Sequence, residues 1–284
     1  MEFDTQKILF AFALTLGAGL ATGIGSCIAF LAKRTNTRFL CLALGFSAGV
    51  MLYVSFVEIL VLAREALSAE RGAVIGSWLT VLGFFGGIGL IALIDKLVPG
   101  SENPHEARIL EDMQTCLKDP ERSARGECIS EESLGALRRT GIFTALAIGI
   151  HNFPEGLATF TMALNEPATG VAIAVAIAIH NIPEGIAVSV PLFYATGSRR
   201  KAFTWSFLSG LAEPIGALTG FLLLLPFFTP LVFGLLFSGV AGIMVFISLD
   251  ELLPAAERYG EHHLCTYGVL SGMAVMALSL LLFL

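Results

Sequence analysis

Charge is what this chain has least of. Lys, Arg, Asp and Glu make up 14% of its 284 residues, against about 25% in an average soluble domain. Hydrophobic side chains reach 55%. The apolar runs attain the roughly 20 residues that a bilayer span requires. That excludes an ordinary soluble domain and predicts an all-α integral membrane protein. Cysteine is sparse and scattered, at positions 27, 41, 116, 128 and 265, with no C-x-x-C pair. Neither a disulfide framework nor a thiolate metal site is expected from that spacing. The first residues, Met1-Glu2-Phe3-Asp4, put acids where a signal peptide carries bases, so no cleaved signal is expected. A net charge of −6 says little about partners once most of the chain lies in lipid, and no nucleic-acid partner is expected.

Eight spans are predicted, at about 8–32, 39–63, 73–97, 141–163, 168–193, 202–225, 231–253 and 265–284. The bases orient them. Lys33, Arg34 and Arg38 fall between spans 1 and 2, and Arg199, Arg200 and Lys201 between spans 5 and 6. The 4–5 and 6–7 connections carry no base. By the positive-inside rule the base-rich connections face the cytoplasm, which leaves both termini on the outer side. Arg64 and Arg71, offset by Glu65 and Glu70, dissent weakly. The polar segment 98–140 falls on the cytoplasmic side as a mobile loop. The whole chain, 1–284, is read as a single transmembrane domain.

Against this apolar background one six-residue motif is written twice. His151-Asn152-Phe153-Pro154-Glu155-Gly156 returns 29 residues later as His180-Asn181-Ile182-Pro183-Glu184-Gly185. A charged residue at the centre of a spanning helix costs about 2.5–3.5 kcal/mol on insertion scales. At about 100° per residue, Glu155 projects near 40° from His151, between His151 and Asn152. Each helix therefore offers a His/Glu edge and an Asn/Glu edge that share one carboxylate. If the two faces meet, the first pair of edges makes a nitrogen–oxygen site suited to zinc and other first-row divalent ions. The second makes an oxygen-only site beside it. Pro154 and Pro183 remove a ladder donor each and are expected to free the Ile150 and Ile179 carbonyls. Span 6 adds Glu213-Pro214, and no Lys or Arg lies within these three spans. Carboxylates without a base call for a bound cation.

A wider repeat surrounds the motif. Residues 49–60 align without a gap with residues 242–253 at an offset of 193, and Gly19-Leu20-Ala21-Thr22-Gly23 resembles Gly210-Leu211-Ala212-Glu213-Pro214 at an offset of 191. Spans 1–2 correspond to 6–7, and 4 to 5, in opposite directions across the membrane. Such inverted repeats are common in secondary transporters, with the binding site near the midplane. Met51 is a soft candidate ligand beside the path. Glu58, Asp250 and Glu251 are candidate attractors near the span ends. His105, His262 and His263 lie on the cytoplasmic side.

At the doubled motif the chain resembles the ZIP (Zrt/Irt-like protein) family of metal transporters, in particular its bacterial zinc-uptake branch. The resemblance covers eight spans, outside termini, a long connection after span 3 and the Glu-Pro of span 6. It implies a ZIP fold, with spans 1–3 inverted against 6–8 around a central antiparallel pair. It also implies import of Zn2+, with Fe2+, Mn2+, Co2+ and Cd2+ as further cargo, by alternating access through a binuclear site between spans 4 and 5. The zinc-preferring site would use His151, Glu155, His180 and Glu184. The second would use Asn152, Glu155, Asn181, Glu184 and Glu213. Segment 98–140 holds one His, unlike the His-rich loops of many animal members. Location in a bacterial inner membrane and no enzymatic role are expected, and a homodimer is left open. The alternative from a different class is a membrane-embedded binuclear hydrolase, because His/Glu pairs one turn apart also occur in zinc hydrolases.

These ligands make pH dependence the first test. Metal must displace protons from imidazole, whose ordinary pKa is about 6.5. Metal affinity is expected to be full above that value and to weaken as pH falls through it. Titration calorimetry at mildly acidic and neutral pH measures this, and a flat profile would remove the histidines from the ligand set.

Overall fold

A computed structural model describes residues 4–31, 37–97, 131–224, 229–259 and 262–282. Within them the chain is helical, and no strand occurs. Span 1 is α1 (Thr5–Leu31). Span 2 is α2 (Thr37–Val54), a π-helical turn at Ser55–Ile59, and α3 (Leu60–Arg71). Span 3 is α4 (Ala73–Leu97), on the bounds expected. Span 4 lies in α5 (Glu131–Asn165) and span 5 in α6 (Pro167–Thr196). Span 6 is divided into α7 (Arg199–Gly210), α8 (Ala212–Thr219) and a π turn at Gly220–Leu224. Span 7 is α9 (Pro230–Ile247), a π turn at Ser248–Leu252 and α10 (Leu253–Tyr259). Span 8 is α11 (His262–Leu282). Six of these stretches are long and apolar enough to cross a membrane by length and composition alone. Helix α5 and the divided span 6 complete the eight.

Local chemistry sets the ends. Gly197 closes α6 in the left-handed region at φ 62°, its N–H donating to the Phe193 carbonyl. Only glycine adopts that conformation without a Cβ penalty. Ser198 then caps α7, its hydroxyl accepting from the Lys201 N–H. Arg199, Arg200 and Lys201 sit in the first turn of α7, where the helix dipole disfavours positive charge. Thr229 caps α9 ahead of Pro230 at its first position, the place where a missing N–H costs nothing.

Two sequence expectations need correction. Helix α5 begins at Glu131, so the last ten residues of the expected 98–140 loop are helical and continuous with span 4. The helices run on through Pro154 and Pro183, and each proline still has no N–H to give to the carbonyl four residues before it. Cys41 and Cys265 meet in a disulfide, with Cα atoms 5.3 Å apart and 224 residues between them in sequence. Spacing alone could not pair them. They meet because α2 and α11 cross with backbones nearly touching: a Cβ on Gly45 would stand 2.5 Å from the Cys265 carbonyl. Residues 98–130, His105 included, lie outside the described residues.

The inverted repeat is visible in packing. A Cβ on Gly156 would overlap the Glu213 carbonyl, and one on Gly185 the Thr22 carbonyl. The glycines are related by the offset of 29 and their targets by 191. Likewise Gly216 meets the Phe153 carbonyl and Gly25 the Ile182 carbonyl. The relation extends to spans 3 and 8, where Gly87 lies on the Gly239 carbonyl and Gly272 on the Phe46 carbonyl. The π turns at 55–59 and 248–252 are related by 193. Helices α1, α5, α6, α7 and α8 pack chiefly on one another, and α2, α3, α4, α9 and α11 form a second group. The outward faces of α4 and α11 expose Trp78, Leu82, Phe85, Leu270 and Leu278, as lipid-facing surfaces do.

Gly156 and Gly185 give the second prediction. An added methyl must push backbone apart, which in a packed interior costs about 1–3 kcal/mol. Gly185→Ala is expected to lower the melting temperature of the detergent-solubilised protein, and Gly17→Ala, where nothing approaches the added Cβ within 4 Å, to leave it unchanged.

Candidate metal centre

The two copies of the motif face each other across α5 and α6, and the N-terminal turn of α8 closes the third side. Asn152, Glu155, His180, Asn181, Glu184 and Glu213 are all buried, none more than 1% exposed. His151 belongs to α5, and its side chain lies outside the described residues. The remaining six expected residues therefore converge from three helices.

Their hydrogen bonds follow the inverted repeat. The Asn181 amide donates to the Ala18 carbonyl at 2.9 Å, and the Asn152 amide to the Ser209 carbonyl at 3.3 Å. Ala18 and Ser209 are equivalent by the offset of 191. Asn181 also donates to Glu213 Oε1. In the other half the equivalent of Glu213 is Thr22, whose buried hydroxyl has no hydrogen-bond partner in the structure. His180 Nε2 stands 3.1 Å from Glu155 Oε1, close enough for an ion pair but without the alignment of a hydrogen bond. Ser47, on α2, donates its hydroxyl to Glu184 Oε1 at 3.1 Å. Thr159 donates its hydroxyl to the Glu155 backbone carbonyl and not to its carboxylate.

The oxygens left over are of one kind. Asn152 Oδ1, Asn181 Oδ1, both carboxylate oxygens of Glu155 and Glu213 Oε2 are buried without a hydrogen-bond partner. All can act as acceptors. A buried acceptor left unpaired costs about 1–3 kcal/mol, and more when charged. Both asparagines spend their donor ends on backbone carbonyls of spans 1 and 6, which turns their oxygens inward. A divalent cation satisfies several acceptors at once, and a mixed imidazole–carboxylate set suits zinc. Among the described residues, no three His, Cys, Asp or Glu side chains already stand in a metal-holding arrangement. Ser47 and Asn181 hold carboxylate oxygens that metal would claim, so loading requires those side chains to turn.

Other candidates stay apart. Met51 is fully buried in the hydrophobic core with Ile173, Ala176 and Ile177 of α6, as core methionines usually are. Glu58 is half-buried in the first repeat-related π turn, and Asp250 and Glu251 lie in the second. His262 pairs with Glu257 at 2.9 Å on the exposed start of α11, with His263 beside it. Sequence reasoning missed Ser47. It sits one turn before Met51 on the same helix face, but a serine in an apolar helix carries no signal of its own.

A bundle built on an inverted repeat, with base-free acceptors converging between its central helices, defines the class of membrane proteins that carry cations. The family model described as ZIP Zinc transporter matches residues 96–280. Similar proteins include "Zinc transporter ZupT" of Nitratidesulfovibrio vulgaris, 66% identical over 99% of both chains. Those of Lysinibacillus sphaericus, 64% identical over 97% of this chain and 98% of that one, and Clostridium perfringens, 59% identical over 99% and 98%, carry the same name. The chain belongs to the ZIP family and is an integral membrane protein.

Asn181 is the hinge of the oxygen-rich edge. Replacing such a supporting partner typically costs 10–100-fold in metal affinity. Asn181→Ala is expected to weaken the weaker of two binding events by at least about tenfold and to change the tighter one less, as measured by calorimetry with zinc on purified protein.

Proposed function

We propose that the chain imports zinc into the cytoplasm, with Fe2+, Mn2+, Co2+ and Cd2+ as further cargo. The observation that carries this reading is the set of buried acceptor oxygens without a hydrogen-bond partner on α5, α6 and α8, in spans without a base. The names of the relatives support zinc as cargo. His151, Glu155, His180 and Glu184 form the zinc-preferring site, and Asn152, Glu155, Asn181, Glu184 and Glu213 the second, with the two glutamates bridging. The protein lies in the bacterial plasma membrane with both termini on the outer side.

Transport proceeds by alternating access. The sequence suggests that spans 4 and 5 shift against the flanking repeats. The packing favours a larger moving unit, because the glycine contacts of Gly25, Gly156, Gly185 and Gly216 tie spans 1 and 6 to that pair. The unit α1, α5–α8 slides against α2–α4 and α9–α11. On this reading the protein is a carrier and not an enzyme, and the hydrolase alternative gains no support from relatives named as transporters.

Glu155→Ala and His180→Ala are expected to reduce zinc uptake into cells at least about 100-fold with the protein still in the membrane, in keeping with loss of a metal ligand. Uptake of radioactive zinc, normalised to membrane content, decides it. Wild-type uptake in both variants would end the carrier reading.

A further inference from the structure

Ser47 and Glu184 belong to different bodies. Ser47 is fully buried on α2, in the flanking group, and Glu184 is on α6, in the central group. Their hydrogen bond of 3.1 Å therefore crosses the surface along which, on the transport reading above, the two groups slide. Most other hydrogen bonds around the motif stay within the central group: Asn152 to Ser209, Asn181 to Ala18 and Glu213, Ser26 and Ser206 to the Gly185 carbonyl.

The repeat supplies a control inside the same chain. The offset of 193 that relates span 2 to span 7 makes Val240 the equivalent of Ser47. The offset of 29 makes Glu155 the equivalent of Glu184. Val240 is buried but has no group that can donate. In keeping with this, both Glu155 carboxylate oxygens have no hydrogen-bond partner in the structure. The two interfaces also differ in extent, α2 packing on α6 more extensively than α9 packs on α5. The structure is thus one of two arrangements that an inverted repeat can adopt. In the opposite-facing one the halves exchange conformations. The extensive contact then falls between α9 and α5, where valine faces the position that serine holds here.

We propose that Ser47 is a positioning residue that biases the transporter toward the conformation seen here, by a hydrogen bond to Glu184 that the opposite-facing conformation cannot form. The bond holds one of the two bridging carboxylates in place in one state only. Turning of Glu184 toward metal breaks it, so cargo loading and release of the flanking group are the same event. Glu155 has no such hydroxyl, and His180 Nε2 stands 3.1 Å from its Oε1. The hydroxyl acts through Glu184 and is not itself a metal ligand.

The inference rests on the alternating-access reading, and the test separates the two. A cavity of about 310 Å3, lined by Leu62, Glu65, Ala66, Met162, Asn165 and Phe233 among others, lies between the groups at the outer end. Cysteine introduced by Ala66→Cys reports its accessibility to a membrane-impermeant maleimide applied to intact cells, with the protein lacking that change as background. Zinc is expected to alter labelling of the otherwise wild-type protein. If it does not, alternating access fails. Given a zinc response, Ser47→Ala is expected to displace the conformer ratio about tenfold, the effect of losing one hydrogen bond to a carboxylate. Val240→Thr, which adds a hydroxyl at constant shape, displaces it in the same direction. The double variant is expected to show the lowest labelled fraction at any zinc concentration. Zinc-sensitive labelling that is the same in wild type, Val240→Thr and the double variant would overturn the proposal. Val240→Thr keeps the test decisive should Ser47→Ala prove poorly folded.

Discussion

Glu155, Glu184 and Glu213 are almost completely withdrawn from solvent, in spans that contain no lysine or arginine. Everything around them answers that constraint. Carboxylates in hydrocarbon must be met by donors or by a cation, and the partners described include the Ser47 hydroxyl, the Asn181 amide and the His180 imidazole. The asparagine amides bond backbone carbonyls of spans 1 and 6, so that the asparagine oxygens join the unpaired acceptors. The centre is therefore built short of positive charge.

Close helix packing is the second half of the design. Carbonyls of one helix lie against glycines of the next on both sides of the central pair, and the same contacts recur under the symmetry of the repeat. Close backbone approach allows five helices to hold the ligands as one body. It also explains why the prolines of the motif leave their helices intact: neighbouring backbones hold the helices in place on either side. The flanking group is joined in the same manner, with α2 on α11 and α4 on α9. Between the two groups, Ser47 bonds Glu184.

Much of this was legible in the sequence, because it followed from hydropathy and repetition. Span 3 was placed on its bounds, the inverted relation of spans 1–2 and 6–7 was readable as ungapped alignment, and six of the seven proposed ligands are brought together. What was not legible depends on partners distant in the chain. The Cys41–Cys265 contact and the Ser47 bond arise from helix crossings that no local pattern encodes. The correspondence of spans 3 and 8 rests on glycines at shared contact positions rather than on matching words. The helical residues 131–140 were hidden by polarity, which signals a loop and a solvated helix end alike.

The paired π turns carry a further consequence for how this chain can change. A π turn holds more residues per turn than the α-helix on either side, so it sets the angular phase of everything beyond it. Deleting one residue between Gly49 and Leu60 would rotate the distal part of span 2 by about 100° while its mate in span 7 kept its phase. The two halves would then stop presenting equivalent surfaces to the central pair. Substitutions can make the halves differ, as Ser47 and Val240 or Thr22 and Glu213 do. Changes of length in this stretch must arrive in both halves or in neither.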